Sequence, residues 1–381
     1  DTLRTMEDLV REYPEVDLYR RTLVLWTALT AAPSEQITKA DPAQKIEQLR
    51  KAVELGKPLA DSPDLISRHC LVFALVHYGR AARGSGDPTS YTRQLGRAVE
   101  ILDPLDPQCV SVTNELAAAL SGAGRSDEAE SILNQRIDVL EGLLLDPDAT
   151  YSEFQQQSIP SQLGLMYYVL ATVLRDCEQD RSSGVGDAYR AAVRHFANAA
   201  AIRSFLTGEA FSRGTPPQEF FRSVRAVRDR SDGDDADQFF RELAENSDPT
   251  NAIQFAVRAR LFSEIGEFEK ALTDLDAAIR LVPLDRDLHV RRANLAASLD
   301  RPVEAIVAWE QAIALSRHRD DAWKMYNRAA WYLATDAPAA PGRSGRAVEL
   351  AEIGVELKPD KATLWNTLGV AQYRNGDLAG A

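Results

Sequence analysis

The sequence predicts an all-α fold in which antiparallel helix pairs stack into a solenoid. Segments 34 residues apart resemble each other in the C-terminal third of the chain, and a fixed period of this length is typical of repeat architectures. Apolar residues recur at three- and four-residue spacing, as on one face of a helix, and no stretch shows the alternation of a strand. Ala and Leu dominate the apolar positions, which favours helix over strand.

The clearest repeat pair is residues 252–285 and 286–319. The matched positions hold small or bulky apolar residues: Ala259 with Ala293, Ala271 with Ala305, Ala278 with Ala312, and Leu275 with Trp309. Two antiparallel helices can approach closely only where small side chains meet, so Ala259 and Ala271 are expected to be such contacts. Gly266 suits the turn between the helices, and Pro283 ends the second helix.

Two further units complete the C-terminal part. Residues 320–361 keep Trp323, Ala347 and Pro359 and carry an insertion, Asp336 to Gly345, which we expect to be a loop between the two helices. Residues 362–381 end partway through a repeat. Because the chain also opens at Asp1 inside a helical pattern, we interpret it as a fragment of a longer protein.

These residues resemble the tetratricopeptide repeat family. The last unit carries most of the family's pattern, in the residues Trp365, Leu368, Gly369, Tyr373, Gly376 and Ala381. The resemblance implies a right-handed superhelical solenoid that holds a protein or peptide in a concave groove. It is strong from Ala252 onward and fair at residues 110–143, the clearest upstream unit.

The remaining chain is predicted to form less regular helix pairs. Residues 1–206 are interpreted as divergent repeats and residues 207–251 as a hinge with irregular helices. The expected helices are Leu3–Tyr13, Asp17–Ala31, Ala43–Leu55, Asp64–Arg83, Thr89–Leu102, Ser161–Glu178 and Asp187–Leu206. The glycines between Arg181 and Gly186 are typical of a turn, and the acidic run before Ala236 of a helix start.

The resemblance also implies which side chains face a partner. The first helix of each repeat lines the groove in this family, at repeat positions 2, 5, 9, 12 and 13. The residues that we expect to contact a partner are Arg260, Asn294, Asn366, Tyr373 and Arg374. Their guanidinium and amide groups can hydrogen-bond an extended peptide backbone or its acidic groups.

A second resemblance suggests an alternative function. The string YNRAAWYLAT, the Pro-rich insertion and the repeat that follows resemble the C-terminal arrays of planctomycete-type bacterial proteins. Many of those carry a serine/threonine kinase domain upstream. This implies that the chain is an autoregulatory or sensing arm of a larger kinase, with that catalytic domain as a partner in the same polypeptide.

Composition narrows the classes of partner. The formal net charge is −13, so the chain should repel nucleic acid, which is not an expected partner. Only three cysteines occur, without a metal-binding spacing, which fits a reducing compartment and a cytoplasmic location. The longest apolar segments are too short to span a bilayer.

Motifs that could carry chemistry are weak. His318-Arg319-Asp320 begins like a kinase catalytic loop but lacks the residues that should follow. The acidic run from Asp232 lacks the Gly and Glu of a calcium loop, and His69 and His77 lack further metal ligands. We therefore predict a non-enzymatic scaffold without cofactor or metal; an enzyme pocket within residues 150–248 is the weakest alternative.

Overall fold

The structure, a computed structural model, describes residues 2–31, 42–103, 106–146, 153–176, 182–198, 218–316, 321–335, 343–377 and 380. Within these ranges it contains eighteen α helices, one 3-10 helix at Lys57–Leu59 and no β strand. The predicted all-α, tetratricopeptide-like solenoid class is confirmed. No helix in these ranges is both long and apolar enough to cross a membrane.

Contacts divide the chain into two compact units. The first consists of Asp1–Phe196, Arg203–Ala210 and Arg222–Arg230, and the second of Ala197–Ile202, Phe211–Phe221 and Ser231–Ala381. Helix α10 spans Gln218–Arg230 and contributes to both.

The first unit holds helices α1 to α9. Their bounds are Thr2–Glu12, Asp17–Ala31, Pro42–Gly56, Leu65–Gly84, Pro88–Ile101, Pro107–Gly122, Ser126–Leu145, Glu153–Asp176 and Ser182–Ala197. Helices α1 to α7 each pack against the next helix in the chain. In addition, α2 packs against α4, and α6 against α8. Alternate helices are thus neighbours, as expected when helix pairs stack.

The second unit holds helices α11 to α18. Their bounds are Gly233–Glu245, Ala252–Glu264, Phe268–Leu281, Arg286–Ser298, Pro302–Ala314, Ala322–Thr335, Arg343–Leu357 and Ala362–Asn375. Each packs against the next, and α16 also packs against α18. Ala259, Ala271, Ala293 and Ala305 are buried, so the small residues matched by the period lie in the core.

A buried ion pair joins the two helices of the first C-terminal repeat. Arg258 on α12 donates from Nε and Nη2 to the two carboxylate oxygens of Asp274 on α13, each at 2.8 Å. A third bond, 3.1 Å, runs to the carbonyl oxygen of Ser247. Asp274 is only 4% exposed, so its charge depends on this guanidinium, and the pairing raises the pKa of Arg258.

The turns after α12 and α14 share one backbone conformation with different residues. Gly266 has φ +76°, and 34 residues later Asp300 has φ +56°. The closing hydrogen bonds match too: Glu267 N–H donates to Phe262 O, and Arg301 N–H to Ala296 O, each at 2.9 Å. The turn therefore requires a left-handed residue, which glycine adopts without steric cost.

Three predicted helix starts differ from the structure by three residues or more, and two of them are in the first unit. Helix α8 begins at Glu153 rather than at Ser161, although Pro160 lies inside it. Its apolar face continues across that proline, since Ile159 and Leu163 are both buried. Helix α9 begins at Ser182 rather than at Asp187, so the stretch Ser183–Gly186, predicted as a turn, is helical.

The physical reason at α9 is tertiary packing. Val185 is buried, and so are the residues three, four and seven positions later: Ala188, Tyr189 and Ala192. This spacing places them on one helix face, and burial of that face outweighs the low helix propensity of the flanking glycines.

The segment expected to be a hinge contains regular helices in its described part. Residues 207–217 lie outside the described ranges, whereas α10 and α11 account for most of residues 218–245. Helix α11 begins at Gly233, three residues before the expected start. Of the predicted loop insertion, residues 336–342 lie outside the described ranges, and its last three residues already belong to α17.

Asp300→Gly should raise the free energy of unfolding by about 0.5 kcal/mol. The left-handed conformation costs an L residue about 1–2 kcal/mol, and this cost disappears with glycine. Glycine loses more conformational entropy on folding, which offsets about 0.5–1 kcal/mol of the gain. Chemical denaturation measures the change. The reverse change at the equivalent turn, Gly266→Asp, should lower stability, and equal effects of both changes would contradict the assignment.

Arg258→Met should lower the free energy of unfolding by about 3 kcal/mol, because it leaves the Asp274 carboxylate buried without its counter-charge. The control is Arg280→Met, which removes the same charge from an exposed position on α13. Denaturant midpoints of the two variants should differ clearly. Similar midpoints would show that Asp274 is satisfied in another way.

Candidate functional site

A cavity of about 300 Å³ lies among helices α12, α13 and α14 of the second unit. Helices α12 and α14 are the first helices of consecutive repeats. The lining residues are Ala256, Ala259, Arg260, Ser263, Phe268, Leu275, Arg291, Asn294, Leu295 and Ser298. The alanines and serines leave room between the helices, while two arginines and an asparagine supply hydrogen-bond donors.

The structure brings together two of the five predicted groove residues. Arg260 and Asn294, which are 34 residues apart, line this same cavity. Asn366, Tyr373 and Arg374 do not: they are exposed on α18. Two of the predicted groove residues thus share one cavity, and the other three lie on an exposed surface of α18.

The positive charge of Arg260 is partly compensated by a neighbouring carboxylate. Its guanidinium forms an ion pair with Glu264, one turn further along α12. Its Cζ also lies 5.9 Å from the ring centroid of Phe221 on α10. The Arg260 Nε is buried and has no hydrogen-bond partner in the described ranges.

Arg291 is held by an aromatic ring instead of an acid. Its Cζ lies 4.1 Å from the ring centroid of Phe221, within the range of a cation–π contact. Its Nε is buried without a partner, and no described residue accepts a hydrogen bond from its guanidinium. Burial lowers the pKa of Arg291, and the charge of Arg260 lowers it further, although Asp287 and Asp285 act in the opposite direction.

The adjacent Arg292 has the opposite environment. Its Nε donates to Asp276 at 2.6 Å, and its Nη2 lies 3.4 Å from the Glu304 carboxylate. It therefore links α14 to α13 and α15 as a structural ion pair. Two consecutive arginines thus differ in kind: Arg292 is paired, whereas Arg291 is partly buried over a ring and has no acceptor in the described ranges.

Sequence reasoning missed Arg291 and Phe221. The period contained a signal for the first, because Arg291 aligns with Val257, which is buried in the preceding repeat. A cation at a position that is apolar in the neighbouring repeat is unusual. No repeat pattern covers Phe221, whose contact with Arg291 becomes evident only in the folded chain.

The first unit has a second, more apolar cavity of about 400 Å³. It lies among α2, α4 and α6, again the first helices of consecutive pairs. Its lining residues are Leu25, Ile66, His69, Cys70, Val72, Phe73, Val76, His77, Arg80, Gln108, Ser111 and Val112. Apolar surface predominates in this lining, and His69, His77, Arg80, Gln108 and Ser111 supply its polar groups.

Both histidines singled out in the sequence line this second cavity. His69 Nε2 hydrogen-bonds the carboxylate of Asp106, and the His77 ring lies 4.2 Å from that of Phe73. Burial lowers the pKa of His77, and the charge of Arg80 adds to this effect. Among described residues, no group of three or more His, Cys, Asp or Glu side chains is placed to hold a metal.

Of two other sequence candidates, one can be placed. The acidic run opens α11: Asp232 is its N-cap, and Asp234 and Asp235 lie in its first turn, where negative charge is favourable. The kinase-like His318-Arg319-Asp320 lies outside the described ranges. The buried thiol of Cys70 has a raised pKa, opposite to that of a nucleophilic cysteine.

Two segments, residues 257–323 and 339–381, match the family model of the tetratricopeptide repeat. The first matched segment contains every residue that lines the cavity between α12 and α14 except Ala256. The comparison with curated proteins found no match. The resemblance of the tail to kinase-associated arrays has no counterpart in these findings and stays a prediction.

Solved tetratricopeptide structures are similar to the chain at low identity. A signal transduction ATPase with a tetratricopeptide repeat sensor from Pyrococcus horikoshii is 12% identical with a TM-score of 0.42; the alignment covers 98% of this chain and 49% of that one. A Parabacteroides merdae repeat protein is 13% identical, with 79% and 98% covered and a TM-score of 0.34. The TPR2AB domain of yeast Sti1, solved with pHSP90, is 15% identical, with 67% and 94% covered and a TM-score of 0.26.

Arg291→Met should leave the free energy of unfolding unchanged or raise it, because the change removes a buried cation that has no acceptor. Arg292→Met should lower it by about 1 kcal/mol, since that residue is ion-paired. Urea denaturation of the two variants makes the comparison, with the adjacent positions serving as mutual controls. A larger loss at Arg291 than at Arg292 would mean that Arg291 has a structural role.

Proposed function

We propose that this chain is a non-catalytic scaffold that holds an extended segment of a partner protein. The groove lies along the first helices of the C-terminal repeats. The observation that carries the proposal is the cavity between α12 and α14, in which Arg260 and Asn294 occupy equivalent positions of consecutive repeats.

The lining chemistry favours a polypeptide. An extended peptide presents alternating backbone donors and acceptors, and the Asn294 amide can serve both. Ala256, Ala259 and Ser263 leave space for backbone or a small side chain, and Leu275 and Leu295 provide apolar surface. Such a mixture of small, apolar and hydrogen-bonding groups is typical of a peptide site.

Binding is also the chemistry that the lining residues support best. Among the described residues that line the cavity, none is a histidine, cysteine or carboxylate that could serve as a general base. The hydroxyls of Ser263 and Ser298 donate to the carbonyl oxygens of Ala259 and Asn294, four residues earlier on their own helices. These bonds fit two ordinary helical serines rather than an activated nucleophile.

Ser298→Trp should abolish peptide binding by filling the cavity. The matched control is Thr273→Trp on α13, which is exposed and likewise donates its hydroxyl to the carbonyl four residues earlier, at 3.0 Å in both cases. A displayed random-peptide library is selected on the unchanged chain, and affinities of the enriched peptides are measured by fluorescence anisotropy.

We expect at least a tenfold rise in Kd for Ser298→Trp and less than twofold for Thr273→Trp. Enriched peptides that bind all three proteins equally would place the binding surface elsewhere. A selection that enriches nothing would remove the proposed groove.

A further inference from the structure

The apolar cavity of the first unit is an elongated trough. Its lining residues on α4 run from Ile66 to Arg80, mostly at three- and four-residue spacing, so they share one face of the helix. At the helical rise of 1.5 Å per residue, this stretch is about 21 Å long. Leu25 on α2 and Val112 on α6 border it. One cavity therefore follows most of α4.

The trough is narrow for its length. Its volume of about 400 Å³, spread over that length, corresponds to a channel roughly 5 Å wide. An α helix with its side chains is about 10–12 Å across, and stacked extended chains need about 10 Å in the direction of their side chains. A single hydrocarbon chain is thinner, because carbon atoms in contact lie only about 3.5–4 Å apart. The shape therefore suits one hydrocarbon chain.

The charged groups of the lining are engaged by the protein itself. Arg80 donates from Nε and Nη2 to the two carboxylate oxygens of Glu115, at 2.8 Å and 2.6 Å. His69 Nε2 hydrogen-bonds the Asp106 carboxylate. Burial lowers the pKa of His77, so its ring is neutral near pH 7. A charged head group would thus meet no unpaired counter-charge among the described lining residues, and its burial would be unfavourable.

Exposed apolar side chains extend this surface beyond the trough. Ile66, which lines the trough, is 58% exposed. On α2, Trp26 follows Leu25 and is 52% exposed, and Leu29, one turn after Leu25, is 47% exposed. Apolar surface of this kind marks an interaction site. Covering it with hydrocarbon would remove it from water, which is favourable in proportion to the area covered.

We propose that the trough binds a free single-chain lipid with an uncharged head group, of the class of the long-chain alcohols. The hydrocarbon chain lies along α4, against Phe73 and Val76. The head group lies beside Gln108 and Ser111, whose amide and hydroxyl can both donate to and accept from a hydroxyl. Burial of the chain provides the affinity, and the exclusion of charge provides the selectivity. This site lies in the first unit and does not rest on the proposed peptide groove.

The test is a titration of the methyl-labelled full chain with hexanol, octanol, decanol and dodecanol, followed by methyl NMR. The signals of Leu25, Val76 and Val112 report on the trough. The control signal is Leu284 of the second unit, which is 78% exposed. Dodecanoate, used below its micelle concentration at pH 7, has the chain length of dodecanol with a charged head group.

Two variants localise the site. Ser111→Phe places a ring inside the trough, and Ser131→Phe places the same ring at an exposed position on α7. Circular dichroism and thermal unfolding show that each variant is folded. The dependence of binding on chain length is measured on the unchanged protein, so it does not require either variant to fold.

We expect saturable shifts of the trough signals and none of the Leu284 signal. The Kd should fall about fourfold for each added methylene, as full burial of the chain requires. Dodecanoate should bind at least tenfold more weakly than dodecanol. Ser111→Phe should raise the Kd for dodecanol at least tenfold, and Ser131→Phe should change it less than twofold.

Shifts that never saturate, or a Kd that is independent of chain length, would overturn the lipid site. Equal affinities of folded Ser111→Phe and the unchanged chain would place the lipid outside the trough. Dodecanoate that binds as tightly as dodecanol would contradict an uncharged head group. The peptide-groove variant Ser298→Trp should bind dodecanol as the unchanged chain does, so failure of the peptide groove and failure of the lipid site are distinguishable.

Discussion

The structure depends on one constraint: a pair of antiparallel helices cannot bury its apolar face alone. Small residues such as Ala259 and Ala271 let two helices approach closely, but the outer face of the pair then needs the next pair to cover it. Stacking follows, and it places the first helices of consecutive repeats beside each other. The cavity between α12 and α14 is a consequence of this arrangement, since its walls are the helix faces that stacking leaves partly open.

Three arginines illustrate how the same side chain can serve structure or function. Arg258 satisfies a buried carboxylate within one repeat, and Arg292 joins consecutive repeats through Asp276. Both are understood as parts of the folded scaffold. Arg291 lies beside Arg292, yet it is partly buried against Phe221 and meets no acceptor in the described chain. A local arrangement that lowers stability and has no structural role is most often found at a binding site.

Much of the fold follows from local patterns. Helix α2 was predicted at its observed bounds, Asp17–Ala31, because its apolar spacing is regular and Asp17 places a negative charge in its first turn. The turn at Gly266 was predicted because the left-handed conformation has a strong sequence signature. Such features depend on residues close in sequence, so one sequence suffices to find them.

The errors have a different origin. The predicted starts of α8 and α9 were wrong because Pro160 and the glycines before Asp187 are local helix breakers, whereas burial of Ile159 and Val185 is a tertiary effect. The same limit applies to the cavity. Arg260 and Asn294 were identified through the repeat period, but Phe221 lies outside the matched repeats, and its contact with Arg291 depends on where α10 lies.

This difference explains why repeat patterns predict a groove better than its specificity. The period constrains the positions that must be small or apolar for stacking, and it leaves the groove-facing positions free to vary. Differences between repeats are then expected at departures from the period, such as Arg291 in place of the valine found at position 257. The chain has a net charge of −13, yet Arg260 and Arg291 both lie close to the ring of Phe221. Such a local positive charge acts over a short range, so the net charge of the chain does not indicate it. The residues that break a repeat pattern at a buried position are therefore where a ligand of this solenoid should first be sought.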